Sequence, residues 1–269
     1  VGRRGPVALA GVALGNTIFF NALIFCMGIL MAVGPMVSQA FGAGDDASIG
    51  RSVRQGLWMA ACLGMAAFAI IYNGETLLRW LGQSEENVVN AGAYLRAIAW
   101  GIFPLLGLVA LRSFAEAVSR PRAVTAIVMS GVGVNIFLNW VLMFGKFGFP
   151  ALGLVGTGWA STGVYTFNFL LLLFWVMRQR DFVDYHIFSK LSRPDRQYFR
   201  ELFRIGWPIG ASMGIETSLF MLTVIMMGWI GTTELAAHQV AIQCAAFTFM
   251  VPLGIGMASS DRKSTRLNS

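Results

Sequence analysis

An all-α fold, a polytopic bundle of membrane helices, follows from three features: scarce charge, long apolar runs, and turn residues falling between those runs. Of 269 residues only 12% are charged and 56% are hydrophobic, and the mean hydropathy is +0.65. A soluble domain carries about 25% charged residues. Halving that share while keeping unbroken apolar stretches means that the solvent is lipid.

A spanning helix needs roughly 20 apolar residues. The stretches that qualify are 8–41, 53–73, 88–114, 123–145, 152–177, 203–230 and 235–260. Gly-Ala-Gly-Asp-Asp at 42–46 closes the first, and Ser-Glu-Glu-Asn at 84–87 opens the third. Ser-Arg-Pro-Arg at 119–122 separates the third from the fourth, and Gly-Lys-Phe-Gly at 145–148 separates the fourth from the fifth. A long polar stretch, 178–202, divides the first five from the last two.

The net charge is +7. The basic residues do not gather into one patch, which excludes nucleic acid as a partner. They alternate between loops, as the positive-inside rule expects. One side holds Arg51, Arg54, Arg112, Arg120, Arg122, Arg178, Arg180, Lys190, Arg193, Arg196, Arg200 and Arg204; the other holds Arg3, Arg4, Arg79, Arg96 and Lys146. That asymmetry puts the 178–202 loop in the cytoplasm. Cys26, Cys62 and Cys244 lie inside apolar runs and read as free thiols packed as small hydrophobes.

Leu9-Ala10-Gly11 and Gly28-Ile29-Leu30-Met31-Ala32 recur as Leu235-Ala236-Ala237 and Gly254-Ile255-Gly256-Met257-Ala258 at a single offset of 226 residues. Internal repeats of this kind build many transporters, with the substrate route at the repeat interface. The repeat pairs the seventh run with the first and leaves the sixth without a counterpart. The expectation is a piece of a twelve-helix protein with two bundles of six. Residues 261–269, Asp261-Arg-Lys-Ser-Thr-Arg-Leu-Asn-Ser269, are one reading frame of GATCGGAAGAGCACACGTCTGAACTCC, a sequencing adapter, and are expected to be an artefact.

Several segments together resemble the multidrug and toxic compound extrusion (MATE) family. They are Gly34-Pro-Met-Val-Ser-Gln-Ala-Phe-Gly-Ala-Gly-Asp45, Ala110-Leu-Arg-Ser-Phe114, Asn135-Ile-Phe-Leu-Asn139-Trp140, Gly145-Lys-Phe-Gly148 with Leu152-Gly153, Glu216-Thr-Ser-Leu-Phe220 and Ala236-Ala-His-Gln-Val-Ala241. The resemblance covers 1–260 and is to the bacterial multidrug-efflux branch. It implies two pseudo-symmetric six-helix lobes, of which this chain holds helices two to eight. Residues 1–177 would then be an N-terminal lobe lacking its first helix, 178–202 the inter-lobe loop, and 203–260 the start of the C-terminal lobe. The implied activity is Na+- or H+-coupled antiport that exports amphipathic, cationic drugs across the inner membrane. It needs no cofactor beyond the coupling ion and is expected of a monomer.

Glu216 lies deep within the sixth run, and no other carboxylate sits at comparable depth. An ionisable residue inside a membrane marks function by default, since its insertion costs about 2.5–3.5 kcal/mol. Such a carboxylate can bind Na+ or H+, and a cationic substrate in an adjacent cleft competes for the same charge. The resemblance matches Glu216 to the family's cation-binding Glu of the C-terminal bundle. Asn135 and Asn139 stand at i and i+4, hence on one face of the fourth run. Interhelical hydrogen bonding is the structural alternative for that pair. By resemblance they belong to a second cation site in the N-terminal bundle, with Ser161 on the next helix and an Asp on the first helix. His238 and Gln239 open the seventh run as candidate cleft residues. Arg112 is expected to snorkel or to pair with Glu116.

Gly210-Ala-Ser212-Met-Gly214 matches the nucleophile-elbow pattern, with His238 on the next helix. The elbow needs a strand–turn–helix context, and a membrane helix does not supply it; small-residue helix packing explains the glycines. No enzyme is expected, and no nucleotide-binding loop is present to couple ATP. Two other readings compete with drug export. A lipid-linked oligosaccharide flippase of the same superfamily would carry basic residues within its cavity, and no Lys or Arg occupies a mid-span position. A retinal photosensor would need a lysine in its last span, and 235–260 has none.

Overall fold

The computed structural model describes residues 6–148, 150–182, 184–187 and 194–267, and the side chains of 12–250 within them apart from Glu86 and Arg180. Among these residues every regular element is helical: α1 (Pro6–Met31), α2 (Val33–Gly42), α3 (Asp46–Tyr72), α4 (Gly74–Trp80), α5 (Glu85–Ala99), α6 (Ile102–Ala117), α7 (Pro121–Phe144), α8 (Gly153–Arg178), α9 (Arg196–Ile230) and α10 (Thr232–Leu267). Val12–Gly42, Asp46–Tyr72, Pro121–Phe144, Gly153–Arg178 and Arg196–Ile230 are long and apolar enough to cross a membrane, and the bent pair α5–α6 adds a sixth span. The protein is a multi-pass membrane helix bundle. The seventh expected span, 235–260, is helical throughout, but its side chains from 251 lie outside the described residues, as do those of the repeat segment 254–258. Arg3, Arg4, Lys190 and Arg193 of the charge count also fall outside them.

Two runs that read as single spans are broken. The first divides at Ala32, between α1 and α2. Pro35 has no N–H for the carbonyl of Met31, and its ring crowds that carbonyl. The third run bends by 51° between α5 and α6. Pro104 leaves the carbonyl of Trp100 without a donor in the same way. The turn before it tightens, with Gly101 N–H donating to Ile98 O at 2.9 Å, so Ala97 loses its helical partner. The Thr162 hydroxyl of α8, almost fully buried, fills that place at 3.0 Å. Thr162→Val keeps the shape and deletes the donor; it is expected to lower stability by about 0.6–1.7 kcal/mol in a detergent-to-denaturant titration. A change no larger than that of a lipid-facing Thr→Val would count against this account of the bend.

Helices also begin earlier than hydropathy suggests. The run expected at 53–73 starts at Asp46, capped by Asp45, whose carboxylate accepts from Ser48 N at 3.0 Å and Ser48 Oγ at 2.7 Å. Those two bonds hold the Asp45 carboxyl below the usual carboxylate range. The run expected at 203–230 starts at Arg196, capped by Asp195, which accepts from Gln197 N at 2.9 Å. Arg51, Arg54, Arg196, Arg200 and Arg204 therefore ride on helix ends rather than in loops.

The 178–202 stretch is correspondingly shorter than expected and is packed down. Phe182 and Ile187 are buried, and Phe182 meets Phe114 of α6 and Trp175 of α8 at ring separations of 5.1 and 5.4 Å. Arg54 donates to His186 O at 2.6 Å, Asp195 N donates to Gln55 Oε1 at 2.9 Å, and Arg120 pairs with Asp181 at 2.5 Å. Arg112 pairs with Glu116 at 2.7 Å, as the i, i+4 spacing expects. At the opposite end the short helix α4, which hydropathy does not detect, offers Glu75 to both Arg79 and Arg96. The cysteine expectation holds for Cys26 alone; Cys62 and Cys244 face outward, because their positions on α3 and α10 turn away from neighbouring helices.

Helix α1 is central, touching α3, α5, α6, α9 and α10. Its antiparallel seam with α9 is built on glycines. A Cβ at Gly210 would lie 2.8 Å from Phe25 O, and one at Gly206 would lie 2.8 Å from the Ile29 carbonyl carbon. The glycines of the apparent nucleophile elbow are thus a helix-packing face.

Candidate ion-coupling and substrate site

Glu216 lies on α9 about 21 Å from the helix end at Ile230, at 1.5 Å per residue, which is inside a hydrocarbon core about 30 Å thick. The face of α9 that meets α1 carries buried Leu202, Gly206, Gly210 and Val224. Glu216 is exposed on another face, shared at helical spacing with Ser212 and Thr223. No hydrogen bond or ion pair engages its carboxylate among the described residues. Thr217, Ser218 and Thr223 have spent their hydroxyls on carbonyls of their own helix, at 2.9, 2.6 and 3.0 Å. The carboxylate is therefore the uncompensated group of this surface.

Gly231 is extended and turns α9 directly into α10. An open groove of about 530 Å³ lies on α10, lined by Gln239, Val240, Gln243, Cys244, Phe247 and Thr248. Gln239, expected in the cleft, lines it. His238 does not; it is half-buried, and its Nε2 is buried without a partner among the described residues.

Asn135 and Asn139 share one face of α7, as their spacing requires. Asn139 Nδ2 donates to Asn135 O at 2.9 Å and to Asn135 Oδ1 at 3.2 Å. The pair is closed on itself rather than bonded across helices. Close approaches of Leu142 to Gly156 and of Leu138 to Gly163 set an antiparallel α7–α8 register, in which Asn139 is level with residues 160–161. Ser161 shares that level but not that face. Its hydroxyl donates to Thr157 O at 3.0 Å. It belongs to a stripe with Gly158, which abuts Tyr94 and Ala97 of α5, and Tyr165, which stacks on Phe19 of α1. The structure thus joins the two asparagines and leaves Ser161 out of contact with them.

Residues 1–141 and 208–269 match the protein family described as MatE. The chain belongs to the MATE family. It is 43% identical over 262 residues to a probable multidrug resistance protein NorM of Bradyrhizobium diazoefficiens, a match covering 97% of this chain and 56% of the relative. It is 35% identical to a NorM of Pseudomonas aeruginosa, covering 97% of this chain and 54% of that protein. The chain thus spans about half the length of the curated relatives it matches. Among solved structures it is similar to an inward-facing multidrug resistance MATE transporter, with TM-score 0.79 and 21% identity, covering 89% of this chain and 54% of that one. An outward-facing form gives TM-score 0.78 at 22% identity, covering 94% and 56%. Those likenesses establish the MATE fold for this inner-membrane bundle, and membership of the MATE family agrees with the expectation that the chain is not an enzyme.

One MATE-chain residue of interest escaped the sequence. Asn168 of α8 is only 6% exposed, and its Oδ1 is buried without a partner among the described residues. The signal was an amide alone in the aromatic and leucine-rich run 167–174. Nothing in the spacing tied it to Asn135, because the tie is made by Gly131 on another helix.

Proposed function

We propose that this chain is the ion-coupling and substrate-binding portion of a Na+- or H+-driven antiporter for amphipathic cations. The supporting observation is Glu216: a carboxylate without a partner among the described residues, deep within a spanning helix and on the face of α9 turned away from α1. Cation and substrate compete for one negative charge, so each favours a different state, and differential affinity is all that exchange requires. In this reading residues 1–177 act as one lobe and 203–260 as the start of the other, joined by the 178–202 segment. The protein works as a monomer in the bilayer, and Asn135 and Asn139, with Ser161 on the neighbouring helix, contribute to a second ion site. The NorM relatives, named as probable multidrug resistance proteins, point to multidrug resistance as the physiological outcome. The direct test loads vesicles holding the full-length protein that carries this sequence with a fluorescent cation. Release that follows an imposed Na+ or pH gradient supports antiport; release indifferent to both gradients refutes it.

Orientation is a further part of the proposal, and it rests on the Lys/Arg asymmetry. Gln83, in the outer connection, is only 7% exposed and is a poor labelling site; Ser84 beside it and Gln197 at the other end are exposed. In a cysteine-free background, Ser84→Cys should react with an impermeant thiol reagent from outside and Gln197→Cys only after the cytoplasmic face is opened. The reverse pattern would show the bundle to be inverted.

A further inference from the structure

Asn168 sits against α7 where Gly131 leaves space. A Cβ at Gly131 would lie 2.6 Å from Asn168 Nδ2 and 2.8 Å from Asn168 Cγ, with Oδ1 closer still. The carboxamide lies on the bare backbone of Gly131, a seat that a larger residue would fill. Gly131 and Asn135 are i and i+4 on α7, so Asn168 is about 6 Å along the axis from the asparagine pair. Along α7 the levels of Asn139, Asn135 and then Asn168 therefore follow one another, stepping towards the Pro121 end.

Their hydrogen bonding is unequal. Asn139 gives its amide protons to Asn135, whereas Asn168 keeps a buried acceptor with no donor among the described residues. A buried polar side chain without a partner is ordinarily eliminated unless a water or an ion serves it. Packing does not need an amide here, since the surrounding run is Phe167, Phe169 and four leucines.

We propose that Asn168 is a further ligand of the Asn135–Asn139 site, its Oδ1 receiving the coupling cation or that cation's water one helical turn beyond the pair. The inference rests on the ion-coupled reading above and adds a residue to it. An amide oxygen serves Na+ and hydronium alike.

The test uses the full-length protein carrying this sequence, reconstituted in vesicles. Efflux of a fluorescent cation is driven either by Na+ at symmetrical pH or by a pH gradient without Na+; the arm that drives the unsubstituted protein identifies the ion. Asn168→Leu retains the approximate volume and removes the acceptor. It is expected to raise the half-saturating concentration of that ion about tenfold, equivalent to about 1.4 kcal/mol, and by more than it lowers the maximal rate. Asn168→Asp keeps an acceptor and adds charge, and is expected to lower the half-saturating concentration. A purely structural amide would change protein amount and leave half-saturation where it was. If the Leu variant does not accumulate, the Asp variant decides: an unchanged half-saturation overturns the proposal. An unsubstituted protein driven by neither gradient would instead remove the antiport reading itself.

Discussion

Glu216→Gln, in a full-length protein that carries this sequence, is expected to reduce ion-coupled efflux to background while the protein accumulates and inserts normally. Gln keeps the shape and hydrogen-bonding reach of Glu but can neither gain nor lose charge, so the change separates ionisation from packing. Folding should tolerate it, because the carboxylate makes no hydrogen bond or ion pair among the described residues and lies on the face of α9 turned away from α1. Removing the charge also relieves an insertion penalty of about 2.5–3.5 kcal/mol, so the Gln variant should be no less stable than the parent. Glu216→Asp retains the charge with a shorter reach and should keep partial activity. Asn139→Ala should weaken transport less than either, since its amide is engaged with Asn135 and water can replace an amide in a hydrated seam. If Glu216 were scaffolding the order would differ: Gln tolerated, and the truncating changes lowering protein level. Efflux of a fluorescent cation, normalised to quantified protein, distinguishes the two orders, and wild-type pumping by the Gln variant would end the proposed mechanism.

Gly210→Ala should be among the most destabilising single-methyl additions in the chain. Backbone meets backbone at this point: a Cβ would stand 2.8 Å from Phe25 O, and a Cβ on the facing Gly28 would stand 2.6 Å from Gly210 N. Neither contact is the end of a flexible side chain, so relief requires α1 and α9 to move apart. Overpacking of this kind costs about 1–3 kcal/mol, and the central place of α1 spreads the disturbance to α5 and α10. Gly133→Ala is the control. It lies in a helix with nothing within 4 Å of its Cβ position, and losing a helical glycine there should stabilise by about 0.5–1 kcal/mol. Denaturant titration of the two purified variants should move in opposite directions. Equal midpoints would mean that the α1–α9 seam does not hold the bundle together.

Much of the site was legible because it depends on chemistry within one helix. A spacing of four puts Asn135 and Asn139 on one face whatever surrounds them, and the observed bond between them follows. A carboxylate deep in an apolar run is at membrane depth wherever that helix packs; the earlier start of α9 lengthened the helix without moving Glu216 relative to Ile230. The caps at Asp45 and Asp195 were present as sequence signals, but hydropathy measures how long a segment is apolar, not how long it is helical.

Composition and periodicity alone determined that this protein is a lipid-embedded helix bundle, where its apolar runs are separated, and which polar groups lie at depth. The tertiary structure decided which of those groups meet. Ser161 faces α5 and α1 rather than the asparagines, Asn168 lies on Gly131 one helical turn from Asn135, Thr162 supplies the bond that the α5–α6 bend leaves open, and Gln83 is buried although it sits in a connection. Each of these depends on a close approach between segments distant in sequence, set by where a glycine lets two backbones touch. A residue's angle about its own helix axis is a local property; the neighbour waiting at that angle is not.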